Sequence, residues 1–196
     1  LYGLVFGLGF FGTSINWVYH SIHVYGNASA ILAAFIAFLL IISAALFPAA
    51  QGWSFAYFFK NKSYLQRCLY AFPLCWLICE WIRGHIFTGF PWMMIGYTAT
   101  HNLLQWYAPL IGLYGLSLIT ALISGCIVLL LKERWQPPRL VALTLIVIII
   151  GVSYFIPPVT YTTVKQNPLT VSLIQGNIQQ SMKWNEKDLE NIIYSP

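Results

Sequence analysis

Residues 80–92 read E-W-I-R-G-H-I-F-T-G-F-P-W, placing an acid, a base, a histidine and two tryptophans at the end of an apolar run. A carboxylate at membrane depth costs roughly 2.5–3.5 kcal/mol on insertion scales, so Glu80 requires a partner or a task there. Glu80 and Arg83 stand at i, i+3, one helix face apart by a single turn, and this spacing predicts an ion pair. Pro91 lacks an amide donor and biases Phe90 towards extended conformations, so the helix must stop before it. His85 and Trp92 then fall in an aromatic segment at the membrane surface, where His85 and His101 are available to a headgroup phosphate. The plainer alternative is a helix end with a snorkelling arginine and an ordinary aromatic belt.

The elements that must position these residues follow from composition. Of 196 residues, 59% are hydrophobic and 8% charged, and no Lys, Arg, Asp or Glu precedes Lys60. Ordinary soluble domains carry about 25% charged residues, so the chain reads as a mainly α, polytopic membrane protein. The net charge of +5 is spread over loops, which speaks for topology and against a nucleic-acid partner. Cys68, Cys75, Cys79 and Cys126 lie in or beside apolar runs without metal-type spacing, and read as free thiols; no metal and no cofactor is expected. His20 and His23 have no carboxylate or thiol nearby to complete a metal site.

Apolar runs predict five transmembrane helices, at about residues 1–19, 28–50, 67–84, 106–131 and 140–156. Gly3 and Gly7 at i, i+4 permit close helix packing, and Gly112, Gly115 and Gly125 are candidate contact points in the fourth span. Residues 20–27 are a polar break without Lys or Arg, residues 52–59 an interfacial continuation of the second span, and residues 85–105 an aromatic segment dipping into the interface. Loop 60–67 carries Lys60, Lys62 and Arg67, and loop 132–139 carries Lys132, Arg134 and Arg139. These basic loops alternate with loops nearly free of basic residues, which places them in the cytoplasm and everything after Pro157 outside.

Beyond Pro158 the pattern changes. Residues 169–174 alternate and are β-branched, predicting a strand, closed by Gln175, Gly176 and Asn177. Residues 187–194 have the apolar spacing of a helix start. The chain therefore divides into a helical membrane domain, 1–158, and the opening of an outer α/β domain, 159–196, too short to fold alone. Leu1 already lies in an apolar run, and the chain is expected to be an internal piece of a longer protein.

Three stretches together resemble the apolipoprotein N-acyltransferase family of the bacterial inner membrane. They are Ile15-Asn16-Trp17-Val18-Tyr19 with Ser21-Ile22, residues 80–92 with Gly96-Tyr97, and residues 171–178 with Lys183-Trp184. The resemblance implies the membrane helices of a multi-pass enzyme and the first strand and helix of a truncated, periplasmic nitrilase-like α-β-β-α domain. It implies transfer of an acyl chain from a membrane phospholipid to the N-terminal amine of diacylglyceryl-cysteine in apolipoproteins, by a ping-pong thioester mechanism. The partners are then a phospholipid donor and a diacylated lipoprotein acceptor, and a monomer is expected. The family's catalytic Glu, Lys and Cys fall beyond Pro196, so no catalytic residue is assigned here and this piece alone is expected to be inactive. Glu186 and Glu190 lie on the expected helix and take no catalytic role; Cys126, among Ile and Val, sits where an apolar surrounding disfavours the thiolate. Trp184 matches a family tryptophan needed for function. The substrate-binding candidates are thus Trp184, Glu80, Arg83, Trp92 and His85. Competing readings are a polytopic transporter or channel, and a membrane-tethered nitrilase-like amidase acting on a soluble substrate.

Overall fold

A computed structural model describes residues 1–132, 136–156, 161–162, 170–173, 175 and 177. The chain sorts into two units, Leu1–Asn16 with Ala37–Val159, and Trp17–Ile36 with Thr160–Pro196. Among the described residues there are seven α-helices: α1 Tyr2–Ser14, α2 Trp17–His20, α3 Ala30–Phe58, α4 Tyr64–Gln66, α5 Phe72–His85, α6 Ala108–Lys132 and α7 Gln136–Phe155. Three helical stretches among the described residues are long and apolar enough to cross a membrane: Ala30–Phe58, Leu103–Lys132 and Pro137–Phe155.

Helix α3 continues past residue 50, through Gly52 to Phe58, with Pro48 in its interior. The stretch expected as an interfacial continuation is thus part of one 29-residue helix, about 44 Å at 1.5 Å per residue. Residues 67–84 belong to a continuous helical run in which α4 leads into a π turn, Arg67–Ala71, and then α5. Ser63 starts this run with a capping box, its hydroxyl accepting from Gln66 N while Gln66 Oε1 accepts from Ser63 N. Pro73 sits in the first turn of α5, and the wide turn before it spares the ring a clash with a preceding carbonyl.

The first expected span departs from a single helix. α1 ends at Ser14 after 13 residues, and residues 15 and 16 separate it from α2. Residues 20–27, expected as a loop, are largely helical: a π turn, Ser21–Tyr25, follows α2 directly and ends at Gly26. In that unit His23 Nδ1 lies 2.8 Å from the Ala28 carbonyl oxygen, and His23 stacks on Tyr19. Backbone and ring contacts therefore hold a segment that has no glycine or proline before Gly26.

In the other unit, α1 packs on α3 at glycines. A β-carbon on Gly7 would come within 2.8 Å of Ala45 Cα, and one on Gly3 would collide with the Pro48 carbonyl. Phe11, Ile15 and Ala44 form one buried cluster, flanked by Leu40, Ile41, Phe90 and Met93. A second cluster joins Cys68 and Leu69 to Cys126, Leu129 and Ala142 of α6 and α7. Gly125 lets α6 approach there, since a β-carbon would run into the Cys68 carbonyl. Gly112 is no contact point: nothing lies within 4 Å of where its β-carbon would sit. Its φ of 64° and ψ of −171° instead break α6 near its start, a conformation essentially reserved for glycine.

Among the described residues there is no strand. Residues 170–173 of the expected strand carry no regular structure, and the rest of 169–174 lies outside the described residues, as does the expected helix at 187–194.

Candidate functional site

Helix α5 delivers Glu80 and Arg83 to the same side, one turn apart, and buries both: Glu80 is 5% exposed and Arg83 3%. They do not form the hydrogen-bonded pair that their spacing suggests. Glu80 Oε1 accepts from Trp76 Nε1 at 2.9 Å, one turn back, and from the Ile95 amide at 2.8 Å. Glu80 Oε2 is buried without a hydrogen-bond partner. Arg83 Nη1 donates to the Phe90 carbonyl at 2.6 Å and to the Trp92 carbonyl. The guanidinium also lies 5.3 Å from the centre of the Phe11 ring. Each side chain clasps a different part of the segment that follows, because that segment's backbone lacks a helical ladder and must find donors and acceptors elsewhere.

That segment, residues 86–99, forms an arm. A short 3-10 turn, Ile86–Thr88, opens it, and a second, Ile95–Ala99, closes it. Phe87, Thr88 and Met93 all take positive φ, at 51°, 74° and 57°, and Gly89 takes 85°. For non-glycine residues this costs on the order of 1–3 kcal/mol each, and such strain gathers at functional sites. A β-carbon at Gly89 would collide with the Gly84 carbonyl, so glycine is required there on two counts. The strain is held by the two clasps, by Phe90 N donating to the Arg83 carbonyl at 2.8 Å, and by Gly96 N donating to Ser117 Oγ at 3.0 Å on α6.

The arm turns some aromatics inward and others out. Phe90 and Met93 join the cluster on α1 and α3, Met94 is buried, and Phe87 is 92% exposed. Trp92 is half exposed and lies 5.2 Å from Phe90, ring to ring. An apolar groove of about 660 Å³ runs along one flank, lined by Phe6, Phe10, Trp76, Trp92, Met94 and Tyr97 among others. A second groove, about 600 Å³, lies along the other flank between Leu40, Phe47, Phe87 and Phe90, with Arg83 in its wall. Both have the size and apolar character of hydrocarbon-binding clefts.

The expected site residues are thus partly brought together. Arg83 is bonded to the Trp92 backbone, and Glu80 holds the same arm separately, through Ile95. His85 stands outside it: exposed, its Nδ1 is 2.7 Å from the Trp81 carbonyl, and its ring stacks 4.5 Å from Trp81 and 6.1 Å from Tyr114. Trp184 lies outside the described residues. Asn177 is exposed with φ 44°, a left-handed conformation that asparagine tolerates, in keeping with a turn role. Sequence reasoning missed Trp76 and Ser117. Trp76 could have been found, since it stands four residues before Glu80 on the same helix. Ser117 lies 21 residues from Gly96 and left no local signal.

Comparison with known proteins is consistent across the chain. Residues 1–126 match a family model described as the apolipoprotein N-acyltransferase N-terminal domain. The apolipoprotein N-acyltransferase of Coxiella burnetii is 40% identical over 193 residues, covering 98% of this chain and 40% of that protein. Those of Methylococcus capsulatus and Nitrosomonas europaea are 38% and 36% identical, over 94% and 96% of this chain and 36% and 37% of their own lengths. The chain therefore spans about two fifths of the curated relatives that it matches.

Proposed function

The chain belongs to the apolipoprotein N-acyltransferase family, and from that premise we propose that it forms the membrane part of an enzyme that acylates lipoproteins. In the full-length protein an acyl chain passes from a membrane phospholipid to a cysteine thiol, and then to the free amine of a diacylglyceryl-cysteine. A thioester divides one difficult acyl transfer into two easier steps, which is the value of a covalent intermediate. The nucleophile and its general base belong to a nitrilase-like domain beginning near residue 159. The described helices position lipid for it.

Five crossings fit this role, with α1–α2 and α4–α5 added to the three long helices. By the distribution of basic residues the arm then stands on the periplasmic side of the inner membrane. The observation that carries the reading is the arm itself: a strained, aromatic, backbone-clasped segment with a hydrocarbon-sized groove on each flank. Phe87 and Trp92 meet the donor lipid. Glu80 and Arg83 act as positioning residues that hold the arm's shape, His85 offers a polar contact at the headgroup level, and Trp184 handles lipid or peptide.

The test uses the full-length protein in proteoliposomes containing a phospholipid with a labelled acyl chain, and a diacylated lipopeptide as acceptor. Label should move to the lipopeptide, and Trp92→Ala and Trp184→Ala should slow it at normal protein levels. Absence of transfer from the unsubstituted protein would overturn the enzymatic reading. A thiol placed at Lys62 should react with membrane-impermeant reagent only from the cytoplasmic side; labelling from outside would overturn the orientation.

A further inference from the structure

At the other end of the α4–α5 run, sixteen residues before Arg83 and so about 24 Å away along a helix, lies Arg67. Its surroundings differ from those of Arg83 in kind. Arg67 Nε is buried with no hydrogen-bond partner, and the guanidinium sits 4.8 Å from the centre of the Phe55 ring. A groove of about 280 Å³ opens beside it, walled by Phe55, Tyr64, Phe72, Ser124 and Val128 among others. The walls are apolar along their length, and the one charged group is at Arg67. Such a cleft matches a molecule with a hydrocarbon body and an anionic head.

The charge around this end agrees. Lys60 and Lys62 are exposed just before α4, Lys132 is exposed where α6 ends, and Arg139 is exposed in the first turns of α7. The arm end of the same unit carries Arg83 as its only Lys or Arg, and that cation is buried and bonded to two carbonyls. A helix end with several basic groups attracts anionic lipid at about 1 kcal/mol for each, and a basic cleft between spanning helices adds a defined seat for the headgroup. Arginine suits that seat because its planar fork matches phosphate oxygens.

We infer that the cleft at Arg67 is a structural binding site for an anionic phospholipid of the membrane leaflet at that end. The lipid phosphate pairs with the Arg67 guanidinium, and one acyl chain lies between Phe55, Phe72 and Val128. The inference rests on the membrane reading above but not on acyl transfer, since the cleft lies at the opposite end from the arm.

The experiment is native mass spectrometry of the full-length protein, purified in detergent, delipidated and titrated with phosphatidylglycerol or with phosphatidylethanolamine of the same chains. Phosphatidylglycerol should be retained about fivefold more strongly, the factor expected for one basic contact. Arg67→Gln should bring the two lipids to parity, whereas Arg67→Lys should keep most of the preference. Ser124→Phe, which fills the cleft without touching charge, should lower retention of phosphatidylglycerol even if Arg67→Gln fails to fold. Lipid held at the arm is insensitive to all three substitutions, and acyl transfer by Arg67→Gln with saturating donor should stay at the unsubstituted rate. Equal retention of the two lipids by the unsubstituted protein would overturn the inference. So would a phosphatidylglycerol preference that survives Ser124→Phe, or displacement of the lipid by inorganic phosphate alone, which would mark a simple anion site.

Discussion

Arg67 and Arg83 sit on one helical run and are the same residue, yet their neighbours put them to opposite uses. Arg83 is enclosed by the arm and the Phe11 ring, and its donors end on main-chain carbonyls of the protein. Arg67 rests on Phe55, and its Nε meets no protein acceptor. An arginine whose hydrogen bonds close within the chain fixes a shape, while one left open at a cleft is available to something else. The sequence separates them by topology, Arg67 in a basic loop and Arg83 at the far end of the span, but gives no sign of which one bonds within the chain.

The sharpest way to break this comparison is Arg83→Ala. It strips two carbonyls of a charged donor and should destabilise the full-length protein by about 3–6 kcal/mol, taking about 1.5–3 kcal/mol for each bond to a charged group. Chymotrypsin should then cut after Phe87, a bond that the clasped arm of the parent should protect. A stable Arg83→Ala protein with a protected arm would show that the clasp is not what holds it. Next in size comes Glu80→Ala, which removes the acceptor for Trp76 and Ile95 and should cost about 2–3 kcal/mol. Glu80→Gln keeps that acceptor and should cost less, so a thermal melt that ranks them in reverse would place the important oxygen at Oε2 instead. At the other arginine's end, Gly125→Ala drives a β-carbon into the Cys68 carbonyl and should cost about 1–3 kcal/mol by overpacking, read as a lower Tm. The smallest effect belongs to Arg67→Gln, which loses a ring contact worth about 0.5–1 kcal/mol at a partly exposed site. A loss in detergent as large as that of Arg83→Ala would erase the distinction between them.

Much of the helical frame was legible in the sequence, because long apolar runs leave few alternatives. The last three of the expected spans overlap helices within a few residues, and Gly3, Gly7 and Gly125 do stand at close approaches. The helix break at residues 15–16 was hidden, since neither glycine nor proline marks it. Gly112 was visible as a glycine, but its purpose was not: whether a glycine admits a neighbour or a forbidden dihedral depends on what surrounds it. At the candidate site, spacing put Glu80 and Arg83 on one face, near enough for their charges to interact, but did not give their hydrogen-bond partners. Apart from the Trp76 indole, their hydrogen-bond partners are backbone groups of the arm, whose course includes positive φ at Phe87, Thr88 and Met93. None of those residue types announces such a conformation, so the orientation of the Phe90 and Trp92 carbonyls had no local signature. The strand expected at 169–174 rested on alternation, β-branched residues and a closing turn; residues 170–173 carry no regular structure, and 169 and 174 lie outside the described residues.

The break at Gly112 divides α6 into lengths that need not open together. Backbone amides beyond it are carried by an unbroken ladder running to Lys132. Those before it lie in a 3-10 turn, Leu103–Tyr107, and the first turn of α6, tied to α7 by Tyr107, whose hydroxyl donates to the Ile149 carbonyl at 2.7 Å. In a hydrogen-exchange experiment the two lengths should behave as separate cooperative units. The section before Gly112 should exchange with the rhythm of the arm, and the section after it with that of the deep helix pair around Cys126 and Ala142. A helix that looks single by its outline is, on the timescale of local opening, two neighbours joined by one residue without a side chain.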